Sequence, residues 1–299
     1  MFLLLTYFGL ILGVAFLVLT ERAVLGLAQI RKGPNVVGPW GVIQCVADGV
    51  KLMTKGSLSL SPTSKILYSL SPILLTMLTM VLISMCPMPM SLSLYGYNML
   101  MLFCVLSLLS LPFMLLGFSY GSVYSTTGAV RVVGLMMSYE ILLLLLMLFF
   151  KGSFGSWTWS ITGDMSMSSS NYMSRMLLVG PMLVLWLMEL GRTPFDLAEG
   201  ESELVSGFNV EYGGWGFLFF FFSEMLCLLS MSLMFSVVIL QFSSIFLHAT
   251  GMLFFVVFSL YVRAALPRFR LLDTQNFIWF RLTPWVMTFG CVTIFLTYL

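Results

Sequence analysis

Carboxylates carry what chemistry this sequence offers, because six of its twelve acids fall in one stretch, MELGRTPFDLAEGESELVSGFNVEY (188–212). Arg192 alone opposes Glu189, Asp196, Glu199, Glu201, Glu203 and Glu211 there. Thr193 suits an N-cap with Pro194 at the first helical position, and Asp196 completes a capping-box-like pattern. A short helix from that start would put Asp196, Glu199 and Glu203 on one face. The interleaved Phe195, Leu197 and Ala198 predict partial burial. Crowded, partly desolvated carboxylates cannot all ionise at neutral pH. Some should titrate high and as coupled groups, which is how a proton reservoir or relay is built. The plainer reading is an acidic surface loop, and the apolar residues between the acids weigh against it.

Three further placements extend the pattern. Glu140 lies about nine residues, or roughly 14 Å, into an apolar run, near the bilayer centre. Glu224 is similarly deep, within FFFFSEMLCLL. Glu189 stands about one turn inside another run, with Arg192 as a possible i, i+3 partner. Ionisable residues at such depth mark an ion, proton or ligand path by default, the alternative being an interhelical hydrogen bond from a permanently protonated acid. His248, alone in an apolar helix, reads as a packed residue. No lysine lies in mid-span, unlike pumps that pair buried lysines with glutamates. The five cysteines are dispersed, without the spacing of a zinc site, an iron–sulfur site or a disulfide framework. Dinucleotide and P-loop glycine motifs are missing, and a net charge of +2 provides no surface for nucleic acid.

The elements that position these acids must be membrane helices. Hydrophobic residues make up 60% of the 299 and charged residues 9%, against about 25% charged in soluble domains. Residues 66–130 carry no charge. The fold class is therefore an all-α polytopic membrane protein, one integral membrane domain over 1–299. Eight spans are expected, at roughly 2–30, 66–86, 98–119, 129–150, 175–192, 214–240, 245–264 and 281–299. Repeats and inverted Gly/Pro-broken halves are not visible, which weighs against common transporter architectures. The first span exceeds the bilayer and should project from it, ending where Arg31 and Lys32 precede Gly33 at C′ and Pro34. Gly9/Gly13 and Gly117/Gly121 have the spacing of close helix packing, a weak signal alone. Within 39–55, Gln44, Asp48, Lys51 and Lys55 form one polar stripe opposite Ile43, Ala47, Val50 and Met53. That predicts an amphipathic helix at the membrane interface or against the bundle. Twelve of the fourteen Lys and Arg fall in the odd-numbered connections, which puts those loops, including the acidic 193–213, in the cytoplasm or matrix. The apolar opening MFLLLTYF, without a presequence, suggests bacterial or organelle-encoded synthesis.

Several motifs together resemble the subunit-1 family of mitochondrial NADH:ubiquinone oxidoreductase, respiratory complex I. They are RTPFDLAEGESELVSGFNVEY (192–212), RKGPN (31–35), GPWGVIQCVADGVKL (38–52), GAVRVV with SYE (128–140) and RAALPRFR (263–270). The match is co-linear across essentially the whole chain. The resemblance implies a core subunit of a proton-pumping enzyme in the mitochondrial inner membrane, with its odd-numbered loops in the matrix. It further implies ubiquinone as substrate, entering a tunnel near Arg22, Arg31, Asp48, Arg263, Arg268 and Arg270. Glu140, Glu189, Asp196, Glu199, Glu201, Glu203 and Glu224 match the family's acid chain from the quinone cavity into the membrane. On this reading the chain contributes to an enzyme without holding a metal, flavin, NADH or iron–sulfur cluster itself. Its implied partners are quinone-site subunits of the peripheral arm, small membrane-arm subunits and lipid. Departures from the family pattern are Ala23, Cys45, Leu190-Gly191 and Leu271-Leu272, with Asp273 near the usual acid position. The alternatives are the ion-translocating subunit of a membrane-bound hydrogenase, or a free-standing proton-coupled transporter.

Overall fold

A computed structural model describes residues 2–56, 64–86, 98–152, 169–197, 207–209, 212–240 and 245–298. No strand occurs among them. In hydrocarbon every backbone polar group must be satisfied within its own segment, so apolar runs of this length fold as helices. The order is α1 (Phe2–Ala28), α2 (Gln44–Thr54), α3 (Lys65–Met85), α4 (Asn98–Tyr120), α5 (Val123–Gly152), α6 (Ser169–Glu189), α7 (Gly214–Phe235), α8 (Ile245–Ala265), α9 (Leu271–Asn276) and α10 (Thr283–Tyr298). A π-helical Ser236–Leu240 continues α7, and another, Phe277–Leu282, joins α9 to α10.

Among the described residues, seven helices are long and apolar enough to cross a membrane. The eighth expected span corresponds to α6, whose apolar part, Met176–Glu189, is shorter. Three starts differ from expectation. The helices expected from 129, 175 and 281 begin at Val123, Ser169 and Leu271. The extra lengths are polar or mixed in sequence, so hydropathy reads them as loop although the backbone is already helical.

The stop of α1 also needs correcting. The helix ends at Ala28, and Ile30 rather than Gly33 takes the left-handed position, with φ 58°. Arg31 N–H donates to Gly26 O at 2.9 Å and Ile30 N–H to Leu27 O at 3.1 Å, which is a Schellman closure. Gly33 is needed for another reason. The chain folds back along α1 so closely that a Cβ at Gly33 would lie 3.2 Å from Ala23 Cα.

α7 is the central helix, packing against α1, α2, α3 and α8. Around it α3 packs on α4, α4 on α5, and α10 on both α5 and α6. The Gly117/Gly121 spacing is used once, at the α4–α5 crossing, where a Cβ on Gly117 would lie 2.2 Å from Ala129 Cβ. Gly9 and Gly13 have nothing within 4 Å of such an atom. Trp186, Phe220 and Phe235 are the largest fully buried side chains.

The amphipathic helix is shorter than 39–55. Residues Pro39–Gly41 form a 3-10 turn in which Trp40 has φ 62°, and α2 follows from Gln44. Asp48 accepts a hydrogen bond from Gln44 Nε2 at 3.0 Å and pairs with Arg22 of α1. Val46, Val50 and Met53 remain exposed along the opposite face.

Candidate functional site

The last part of α1 and two connections meet at one end of the bundle. Glu21, near the end of α1, is buried and carries two guanidinium partners, Arg192 at 3.4 Å and Arg263. Arg268 pairs with Asp196 at 3.2 Å, and Asp196 is buried as well. The segments bearing these groups are also joined through the backbone. Phe269 N–H donates to Pro194 O at 3.0 Å, Phe195 stacks on Phe269 with centroids 5.4 Å apart, and Thr193 Oγ1 donates to Arg263 O.

That pairing explains why the expected helix does not start at Pro194. Residues 193–195 form a turn, and Asp196 and Leu197 are irregular, because their polar groups are engaged by the 263–270 connection. Glu199, Glu201, Glu203 and Glu211 lie outside the described residues. Arg192 is likewise not the i, i+3 partner of Glu189. The chain turns at Gly191 and delivers the guanidinium to Glu21 instead.

Two cavities open from this cluster. The outer one, about 490 Å³, is lined by Arg192, Asp196, Asn209, Tyr212, Arg263 and Arg268, with Phe217, Phe220 and Phe221 as its apolar wall. The inner one, about 80 Å³, runs between α3, α4, α5, α6 and α7. It carries Tyr139, Glu189, Ser223 and Cys227 among Leu75, Leu109, Phe113, Val132 and Leu135. Gly191 and Glu224 line both, so Glu224 stands at the junction. Beyond it Glu189 is within electrostatic reach of Glu140 on α5. Glu189 Oε2 and Tyr139 Oη are buried without a hydrogen-bond partner in the protein.

The structure therefore gathers Glu189, Asp196, Glu224, Arg263 and Arg268 around the two cavities, with Glu140 outside both linings. Arg22 and Asp48 form a separate exposed pair, and Arg31, held by Gln29 Oε1 at 2.9 Å, and Arg270 line neither cavity. Sequence reasoning missed Glu21 as a member. Its signal was available, since it is the one acid in α1. Tyr212 was missed too. Its hydroxyl lies 3.0 Å from Ser71 Oγ and 2.7 Å from Ser119 Oγ. Burial pushes its phenol above the ordinary value, against the pull of those two hydrogen bonds. No group of three or more His, Cys, Asp or Glu stands in a metal-holding arrangement among the described residues.

Residues 1–294 match the sequence profile of the NADH dehydrogenase family. The chain belongs to that family. It is 38% identical over 297 residues to NADH-ubiquinone oxidoreductase chain 1 of Cyprinus carpio, covering 93% of this chain and 89% of that protein. The koala protein of the same name, from Phascolarctos cinereus, is 39% identical over 295 residues, with coverages of 93% and 90%. That of Aedes aegypti is 39% identical over 281 residues, with coverages of 91% and 87%. As a member of the NADH dehydrogenase family with seven helices fit to cross a bilayer among its described residues, the chain is a multi-pass membrane protein.

Proposed function

We propose that this chain is the subunit of a proton-pumping NADH:ubiquinone oxidoreductase, respiratory complex I, in which quinone reduction meets the membrane's proton path. The observation that carries the reading is Glu224, which lines both the outer and the inner cavity. A reduction in one is thereby placed beside ionisable groups in the other.

The outer cavity suits a quinone headgroup. Its phenylalanines receive an apolar ring, and its arginines favour the anionic species formed as electrons arrive. Asp196 and Glu224 are the acids near enough to exchange protons with it. The inner cavity suits water. Each water needs roughly 10–15 Å³, and the cavity's 80 Å³ lies beside Glu189 Oε2 and Tyr139 Oη, atoms that require a partner. Water there connects Glu224 with Glu189, and Glu140 extends the line into α5. Glu199, Glu201 and Glu203 continue the acid chain on the loop side. Reduction changes the charge in the outer cavity and thereby the protonation of the coupled acids, which is the signal sent into the membrane arm.

Electrons come from a redox centre in a partner subunit, and this chain binds no flavin, NADH or iron–sulfur cluster. Its location is the mitochondrial inner membrane, with the odd-numbered loops in the matrix. Convergence of Glu21 in the last part of α1 with the connections that bear Arg192 and Asp196 and that bear Arg268 supports that sidedness. The α2 helix, with Arg22, Arg31 and Asp48, frames the quinone entrance, and Arg270 belongs to the matrix rim. The partners are peripheral-arm quinone-site subunits, neighbouring membrane-arm subunits and lipid.

The test is Glu189→Gln and Glu224→Gln in the assembled enzyme, each removing a titratable proton while keeping volume. NADH-driven quinone reduction and proton pumping should both fall, by on the order of 10²-fold for a proton-transfer residue. Wild-type turnover and pumping in both variants would overturn the relay.

A further inference from the structure

Tyr212 closes the acidic stretch, and the proton path above does not use it. Its ring stacks on Tyr68 of α3, with centroids 4.5 Å apart and planes 5° from parallel. Its hydroxyl sits between Ser71 of α3 and Ser119 of α4, both fully buried. Ser119 also donates to Leu116 O at 2.9 Å, and Ser71 to Tyr68 O and Tyr212 to Leu116 O at 3.5 Å each, while in both hydroxyl pairs either oxygen can be the donor. The three hydroxyls therefore form one connected lattice that ties α3 to α4 through Tyr212.

The two helices held in this way wall the inner cavity through Leu75 and Thr79 of α3 and Leu109 and Phe113 of α4. Tyr212 itself walls the outer one. We infer that Tyr212 is a positioning residue that keeps the two cavities in register, so that quinone entering the outer cavity moves the walls around Glu189 and Glu224. This inference rests on the proposed function. A backbone link adds to the lattice: Ser64 N–H donates to Ser119 O at 3.3 Å, joining the starting end of α3 to the finishing end of α4, at the end where Tyr212 lines the outer cavity. Phe113 also meets Phe220 of the outer cavity edge-on, at 6.3 Å.

The experiment uses the assembled enzyme in sealed membranes, with Tyr212→Phe, Ser119→Ala, the double variant and Ser119→Thr. Phenylalanine keeps the stack on Tyr68 and removes only the hydroxyl. Proton pumping, normalised to assembled enzyme, should fall about tenfold in Tyr212→Phe, the scale of one lost buried hydrogen-bond partner. Ser119→Ala should behave alike, the double variant should be no worse than either single one, and Ser119→Thr should restore pumping. If Tyr212→Phe does not assemble, the Ser119→Ala and Ser119→Thr pair decides the matter. Less assembled enzyme with normal pumping per enzyme means a purely structural role and overturns the inference. Glu189→Gln run in parallel separates the two levels. Defective pumping there with normal pumping in Tyr212→Phe removes this inference alone, whereas normal pumping in both removes the relay.

Discussion

A buried carboxylate between two guanidiniums and an exposed ion pair look alike in sequence, but their energetics differ. Glu21 is buried with Arg192 and Arg263. Glu21→Gln leaves two cations facing each other without a counter-charge. That should cost about 3 kcal/mol, the low end for breaking a buried pair, because Arg263 is partly exposed. The readout is a lower thermal midpoint of the purified enzyme. The Arg22–Asp48 pair is far more exposed, so Asp48→Asn should change stability by no more than about 1 kcal/mol. Any large effect of that substitution should appear in quinone kinetics instead. For Tyr212 the sign of the pH dependence is set by burial, which holds the phenol above its ordinary value. A neutral phenol favoured by folding contributes stability that is complete below about pH 10 and is lost as pH climbs through the raised value. Melting curves of wild type and Tyr212→Phe should keep a constant gap up to about pH 9 and converge above it.

Helix ends show where the sequence was legible and where it was not. Span positions could be read because hydrocarbon admits only apolar helical backbone, and that demand is written residue by residue. It stops at the membrane surface. α5 and α9 therefore begin earlier than hydropathy indicates, at Val123 and Leu271. Thr193-Pro194-Phe195-Asp196 carries a good local start signal, yet tertiary pairing with Arg268 and Phe269 overrides it. Individual acids were legible by their depth, whereas the partner of each was not, because Glu21 and Arg263 are 242 residues apart. The α1 stop yields a directional prediction. Ile30 holds φ 58° while almost wholly exposed. Ile30→Gly should relieve left-handed strain and stabilise the enzyme by about 1 kcal/mol. Gly33→Ala should destabilise by about 1–2 kcal/mol, since its new methyl meets the α1 backbone. Thermal midpoints of the two variants should move in opposite directions.

Across the whole sequence the charges are few, and among the described residues Glu21, Arg192, Asp196, Arg263 and Arg268 gather at one end of the bundle. A photoreactive quinone analogue should accordingly label the 21–55 segment and the walls of the outer cavity. Labelling confined to 151–175 would place the quinone entrance on the opposite side. Copurification with flavin- and iron–sulfur-bearing subunits is expected, and a solitary active protein is incompatible with the proposed role.

The same gathering sets an order in time. Glu21 enters the membrane with the first helix made, and Arg263 is translated 242 residues later. At a synthesis rate of about 5–20 residues per second, that leaves the carboxylate waiting roughly 12–48 s for its second cation. The outer cavity therefore cannot close until the eighth helix in chain order is being completed. A chain arrested before that point leaves Glu21 with Arg192 alone and Asp196 without Arg268, a difference that quality-control proteases can read. The ion cluster that shapes the cavity in the finished protein thus also marks a chain as finished.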